Sequence, residues 1–266
     1  MVAVSAQAGP GEFERYERAL EAAGLDRRPV AILDLARFDA NARALKKRAG
    51  TTPIRVATKS LRVPFLIERA EREFEGGLLA FSLAEALDLV EESYKDVLVA
   101  YPTADREALS RLVTNERALR SITLMVDSRA HADMIVEARC SHSSSEAPVR
   151  VCIELDCSYA PVRGVHLGAL RSPLFTPEDV EDLARVLTRQ PDIALVGLMG
   201  YESQIAGTPN RGHSPMRLLT RGMQVLSARE VAARRGEAVK RVRKVCDLEF
   251  VNGGGTGSIE STCADP

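Results

Sequence analysis

The sequence has little of several things that usually announce a function. Its charge is nearly balanced, 36 Lys and Arg against 37 Asp and Glu for a net −1. That balance argues against a dedicated nucleic-acid or anionic-membrane surface. No apolar run approaches the ~20 residues that cross a bilayer as a helix. The first eleven residues are small and uncharged apart from the terminus, without the basic start and apolar stretch of a secretory signal. Cysteine is sparse: Cys140, Cys152, Cys157, Cys246 and Cys263 are odd in number, scattered, and form no C-x-x-C pair. This excludes a zinc knuckle or a disulfide framework and points to a reducing, cytoplasmic setting with each thiol a small, buried or half-buried apolar residue. The four histidines (His131, His142, His166, His213) show no metal-ligand spacing, so no metal site is expected.

Two segments stand out against this background. Pro53-Ile54-Arg55-Val56-Ala57-Thr58-Lys59-Ser60 reads as a short strand with a lysine at its C-terminal end. Phe250-Val251-Asn252-Gly253-Gly254-Gly255-Thr256-Gly257-Ser258 reads as a strand running into a glycine cluster. A strand-end lysine can form a Schiff base with a carbonyl cofactor, and a Gly/Thr/Ser turn can hold a phosphate through backbone N–H groups and hydroxyls. Pyridoxal 5'-phosphate has both an aldehyde and a phosphate. Burial of Lys59 beside Arg55 or Arg62 would lower its pKa and favour imine chemistry.

Between the two segments, β-branched runs alternate with stretches of helical period. A helix is predicted over 12–23, a strand over 30–34 and a helix over 37–48. Residues 54–58, 77–81, 96–100, 121–126, 149–155, 193–199 and 247–252 then read as strands. Residues 62–73, 83–92, 104–113, 129–138, 177–189 and 214–235 read as the helices between them. Ser82 and Glu85 form a capping box, Thr176 caps a helix with Pro177 in its first turn, and 141–146 is a polar surface loop. One-directional βα repetition favours an α/β fold of the TIM-type (β/α)8 barrel over a doubly wound open sheet. Seven barrel strands are present and the eighth is not, so the chain reads as a fragment, a disrupted reading frame, or a protein that another segment closes. In a barrel the loops after the strands build the site. Lys59, Asp156, Gly200, Tyr201 and the 253–257 cluster then share one rim, with Glu202, Gln204 and His166 as further polar candidates. The basic run Arg234-Arg235 and Lys240-Arg241-Arg243-Lys244 is interrupted by Glu237 and Val239 and reads as a solvated helix end.

The segments Ala31-Ile32-Leu33-Asp34-Leu35, Phe38-Asp39-Ala40-Asn41, Arg55 to Ser60, Phe81-Ser82-Leu83-Ala84-Glu85-Ala86, Glu154-Leu155-Asp156 with Arg163-Gly164-Val165, and Gly197-Leu198-Met199-Gly200-Tyr201 resemble the alanine racemase N-terminal-domain superfamily, the fold type III pyridoxal-phosphate enzymes. Gly253 to Gly257 looks more like its D-threonine aldolase and D-serine dehydratase branch. The resemblance implies that Lys59 carries the cofactor and moves the α-proton. It gives Arg163 the contact to the phenolic oxygen and Tyr201 the place against the pyridine ring. It gives Gly254, Gly255, Thr256 and Gly257 the phosphate, with Asp156 orienting Arg163. Residues 1–52 then lead into the barrel, and 53–266 form the cofactor-binding barrel. Family members continue into a C-terminal β-domain, against which 30–34 packs and which carries metal ligands in the aldolases and dehydratases; that part is lacking here. A homodimer is implied, acting on a small-molecule amino acid. The expected activity is lyase (aldolase or deaminase) or racemase chemistry on D-amino or β-hydroxy amino acids; a non-catalytic cofactor-binding protein or an inactive remnant is the alternative.

Overall fold

The structure, a computed structural model, describes residues 10–25, 29–142, 145–162, 164–208 and 215–265. Helix α1 (Pro10–Ala22) and helix α2 (Leu35–Ala49) precede strand β1 (Ile54–Ala57). Then follow α3 (Pro64–Phe74), β2 (Glu75–Ala80), α4 (Leu83–Glu91), β3 (Val97–Pro102), α5 (Arg106–Val113), α6 (Glu116–Ser121), β4 (Ile122–Val126), α7 (Arg129–His142) and β5 (Val149–Leu155). A hairpin of β6 (Tyr159–Val162) and β7 (Val165–Leu167) leads to α8 (Pro177–Leu187) and β8 (Ile193–Gly200). The short α9 (Ser203–Ala206), the long α10 (Pro215–Val242), β9 (Phe250–Gly253) and α11 (Ile259–Cys263) complete the described chain.

Seven strands form one parallel sheet in the order β1-β2-β3-β4-β5-β8-β9. Parallel neighbours require crossovers, and the helices supply them. Side chains alternate between two cores, as strand geometry demands. Val97, Val99, Leu124, Val151, Ile153 and Leu198 pack outward against the helices. Leu98, Met125, Cys152 and Met199 pack together on the other face, joined by Leu79 and Phe250. The sheet is curled, because its two edge strands meet across that inner face: the Arg55 guanidinium of β1 lies 5.2 Å from the Phe250 ring of β9. Gly197 makes room for the ring, since a Cβ there would sit 2.5 Å from it. The fold is an incomplete (β/α)8-type barrel with seven strands among the described residues, not a doubly wound sheet.

The helix starts are fixed locally. Ser82, Asp105 and Asn115 each accept a backbone N–H three residues on, and Thr176 with Asp179 forms a full capping box ahead of Pro177. Residues 30–34, expected as a strand, join no ladder and connect α1 to α2. Their composition favours extended backbone, but among the described residues no strand lies beside them to bond. The polar stretch 141–146 is partly helical, since α7 runs to His142. The connection between β5 and α8, which carried no predicted element, contains the β6–β7 hairpin, that after β8 contains α9, and α10 runs past the expected end at 235.

Candidate active site

Strand β1 gives way at once to a single 3-10 turn, Thr58–Ser60. Thr58 is fully buried and its hydroxyl donates to the Leu79 carbonyl of β2 at 3.2 Å, which pins the turn. Lys59 is thereby set, exposed, at the C-terminal rim of the strands. Its Nζ lies 5.9 Å from the centroid of Tyr101, which is at the end of β3. Arg55 is not its partner: it reaches into the bore and pairs with Asp96 at 2.7 Å.

The cation beside Lys59 and Tyr101 is Arg171, from the loop after β7. Its guanidinium lies 4.6 Å from the Tyr101 ring and 5.6 Å from the Tyr201 ring, between the ends of β3 and β8. It is held on three sides. Nε bonds Glu154 at the end of β5, Nη2 donates to the Ala100 carbonyl at 2.9 Å, and the backbone N–H donates to Asp156 at 2.8 Å. Glu154 is 1% exposed and one of its oxygens, Oε2, has no partner. Burial pushes its pKa up, against the pull of Arg171. For Tyr101, burial works upward too, but the bond and charge of Arg171, with Lys59 behind it, outweigh burial and bring the phenol below its ordinary value.

Tyr201 carries the site on to the glycine cluster. A Cβ on Gly255 would lie 3.2 Å from the Tyr201 ring and 3.1 Å from Ala206, and one on Gly257 would collide with the Ala206 carbonyl oxygen. Gly254 has φ +75°, a conformation glycine adopts without strain. Beneath the turn lies Glu202, buried. It accepts from Arg235 Nη1 at 2.9 Å, from the Ser258 hydroxyl at 2.8 Å, from the Thr262 hydroxyl and, weakly, from the Gly254 N–H at 3.4 Å. Burial raises its pKa, but Arg235, Thr262 and Ser258 together hold it below the usual carboxylate range. Gly255 N–H donates to Ser258 at 3.1 Å. The N–H groups of Thr256 and Gly257 and the Thr256 hydroxyl donate to nothing among the described residues.

Arg163 lies outside the described residues. Asp156 organises its own loop, accepting from the N–H groups of Ser158, Arg171 and Ser172. His166 packs edge-on against Phe175 at 5.9 Å. Gln204 is an internal clamp, donating to the Cys157 carbonyl at 2.7 Å and Ser227 at 2.8 Å. Arg234 and Arg235, expected in solvent, are buried. Arg234 satisfies the carbonyls of Asp156, Phe175 and Ser158, and Arg235 pairs with Glu202 and Asp265. Sequence reasoning missed Tyr101, Arg171 and the role of Glu154. Only Glu154 left a signal: a carboxylate between Ile153 and Leu155 in a predicted strand needs a cationic partner once buried. Among the described residues no group of three or more His, Cys, Asp or Glu is arranged to hold a metal ion. No helix among them is long and apolar enough to cross a membrane.

The sequence profile of the alanine racemase N-terminal domain matches residues 33–235. A crystal structure of D-threonine aldolase from Filomicrobium marinum superposes with a TM-score of 0.70 at 19% identity, over 90% of this chain and 60% of that one. D-threo-3-hydroxyaspartate dehydratase, a C353A mutant in a metal-free form, gives 0.60 at 19% identity over 90% and 64%. Alanine racemase from E. faecalis gives 0.57 at 14% over 86% and 55%. The chain thus spans less than two thirds of the length of each. No curated protein matches it by sequence. The chain belongs to the alanine racemase N-terminal-domain family.

Proposed function

We propose that this family member is a pyridoxal-phosphate-dependent enzyme acting at the α-carbon of D-amino or β-hydroxy amino acids, by aldol cleavage, deamination or racemisation. One observation carries the reading. An accessible lysine, an arginine held between two tyrosine rings, and a glycine turn with unused donors lie in sequence along one rim. Superposition on an aldolase, a dehydratase and a racemase supports the same class.

The residues fit the cofactor at both ends. Lys59, the only amine of the cluster, is the group to hold the aldehyde carbon. The Thr256 and Gly257 N–H groups and the Thr256 hydroxyl are the free donors for phosphate, a cradle in a turn packed so closely on the Ala206 backbone that only glycine fits at 257. Gly254 and Gly255 shape that cradle, since their own N–H groups turn to Glu202 and Ser258. Bound pyridoxal phosphate supplies an electron sink that acidifies the substrate's α-C–H. The Tyr201 ring supplies a flat face at the wall of the cleft. Arg171, immobilised by Glu154, is the fixed positive charge that would hold the cofactor's phenolic oxygen, the part the resemblance gives to Arg163. Lys59 Nζ is the base that takes and returns the α-proton. Arg235 neutralises Glu202 beneath the cradle, so that a buried carboxylate does not repel the phosphate.

The test begins by mixing the protein with pyridoxal phosphate, reducing with borohydride and mapping the labelled peptide. A visible absorbance band and a label on Lys59, both lost in Lys59→Ala, are expected. A protein folded by circular dichroism and unlabelled at Lys59 overturns the cofactor reading. Exchange of the α-proton for deuterium across a panel of D- and β-hydroxy amino acids, followed by NMR, then identifies the substrate class. Labelling at Lys59 with no exchange on any of them overturns the enzymatic part.

A further inference from the structure

The two anchors of the cofactor reading are held by opposite ends of the chain. Lys59 follows β1 and the glycine turn follows β9, the two edge strands of the sheet. Among the described residues no ladder joins these strands, so sheet register does not set the turn against the lysine. At the level of the turn one side chain reaches across. Arg48 stands in the last turn of α2, just ahead of β1, and makes three bonds to the far end of the chain. Nε donates to Glu260 Oε1 at 2.6 Å and Nη2 to Glu260 Oε2 at 2.9 Å, a planar fork on a carboxylate of α11. Nη2 also donates to the Thr256 carbonyl at 2.8 Å, across 208 residues of sequence.

The bond to the carbonyl has a consequence for its neighbour. A trans peptide unit points its C=O and the next N–H to opposite sides. Holding the Thr256 carbonyl toward α2 therefore turns the Gly257 N–H away from α2. The preceding peptide is set in the same way: the Gly255 carbonyl accepts the Ser258 N–H at 2.9 Å, which turns the Thr256 N–H away from Ser258. These are the two N–H groups left without an acceptor in the turn. Glu202 holds Gly254, Ser258 and Thr262 from beneath, not the Thr256–Gly257 peptide. An ion pair at the surface is by itself worth little. Here the fork fixes the guanidinium: the Arg48 side chain is 32% exposed, and its bond holds the Glu260 carboxyl down at about 2. The ionised pair is neutral as a whole, so what it gives the turn is direction rather than charge.

We propose that Arg48 is a positioning residue for phosphate: it orients the Thr256–Gly257 peptide so that the free N–H groups receive the phosphate, and the site thereby selects the phosphorylated aldehyde over its unphosphorylated form. The proposal rests on the cofactor reading and adds to it a residue that lies outside the rim. Donors already aimed at an anion need no reorganisation when it arrives, which is where the selectivity comes from. Standing just ahead of β1, Arg48 also ties the turn to the strand that carries Lys59, so that the phosphate and aldehyde anchors keep one spacing.

The test titrates the full chain with pyridoxal 5'-phosphate and with pyridoxal, which has the aldehyde and lacks the phosphate, reading the visible band and the borohydride label on Lys59. The parent is compared with Arg48→Met/Glu260→Gln, which removes both charges together and leaves the net charge of the turn unchanged. It is also compared with Glu260→Gln, which leaves the guanidinium free to bond Thr256. The parent should bind the phosphorylated form more tightly, and Glu260→Gln should keep that preference. In the double variant the preference should fall about ten-fold or more while pyridoxal binds as before, since a hydrogen bond to a charged group is worth at least that much. Inorganic phosphate asks the same question without an aldehyde: it should shift the Thr256 and Gly257 amide NMR signals of the parent and not those of the double variant, whose other signals stay in place. A preference and a phosphate response unchanged in the double variant overturn the proposal. An equal loss for both aldehydes does so too, because it marks Arg48 as a general support of the fold. A parent that binds both aldehydes alike overturns the phosphate cradle and this proposal together. A parent that labels at Lys59 with neither overturns the cofactor reading itself, a result distinct from the others.

Discussion

Glu202 offers the sharpest test of how the rim is held. Glu202→Gln keeps the size and one carbonyl acceptor but removes the charge facing Arg235. It also puts an amide nitrogen, which cannot accept, in place of either Oε1, which now takes both the Ser258 and Thr262 hydroxyls, or Oε2, which takes Arg235 and the Gly254 N–H. Removing one partner of a buried ion pair costs about 3–5 kcal/mol, because the other charge is left uncompensated. Here Asp265 remains bonded to Arg235, so the loss should fall near the lower limit, about 3 kcal/mol at neutral pH. The pH dependence gives a second handle. The folded-state pKa of Glu202 lies below its ordinary value. Its contribution is therefore fully present above about pH 4.3 and is lost as pH falls through the lowered folded value. Urea unfolding of both proteins at neutral pH and at steps below about pH 4 should show a gap that narrows with acidity. Hydrogen exchange of residues 253–263 should rise in the variant, since either Gly254 or the Ser258 and Thr262 hydroxyls lose their acceptor. A neutral-pH loss under about 1 kcal/mol, the worth of an ordinary hydrogen bond, refutes the argument that this carboxylate is the anchor of the glycine turn.

Two further substitutions probe the bore and the site. Gly197→Ala should cost about 1–3 kcal/mol by overpacking, because the new methyl sits 2.5 Å from the Phe250 ring; Phe250→Leu in the same chain should recover part of the loss in a thermal melt, and an unchanged melting temperature for the single variant contradicts the curled-sheet packing. In an alkaline ultraviolet titration Tyr101 should ionise before Tyr16, Tyr94 and Tyr201, whose phenols are all shifted upward. Tyr101→Phe should delete the earliest step; a curve that keeps it places Arg171 elsewhere.

The barrel strands were legible because period and length agree. Residues 149–155 are rich in Val, Ile, Cys and Leu between Pro148 and Asp156, and the strand observed is Val149–Leu155. The rim was legible as a place, since Lys59, Tyr201 and the glycines follow predicted strands. Its partners were not. Arg171 sits 112 residues from Lys59 in a loop with no motif, and only the register of β3, β5 and β8 brings Ala100, Glu154 and Tyr201 to the same level around it. Residues 30–34 failed for the opposite reason: their local preference is for strand, but a ladder needs a neighbour, which local preference does not provide. The stretch 116–121 carries a helix start in Asn115 and Glu116, yet at six residues it is too short for period to reveal.

The misreading of α10 has a single physical cause that reaches from the site to the surface. Loops that leave the strand ends at the rim carry carbonyls that no ladder satisfies, and a buried carbonyl without a donor is costly. Asp156, Phe175 and Ser158 receive theirs from Arg234, Gly200 from Arg235, and Gln204, Ile205 and Thr208 from Gln224. All three donors come from one helix, so that helix must turn polar side chains inward over its middle, from Gln224 to Arg235, before Ala238, Val239 and Val242 return to the core. Its apolar residues are then displaced to the outer face, where Leu218, Leu219, Val225 and Leu226 lie in water around Gly222. A pattern search that equates apolar with buried places this helix backwards, and takes Arg234 and Arg235 for solvated charges. Holding the rim from α10 and leaving an apolar outer face on α10 are thus one structural choice, which is why polar substitutions at Leu219 and Val225 should leave the rim bonds of Gln224, Arg234 and Arg235 and the thermal stability unchanged.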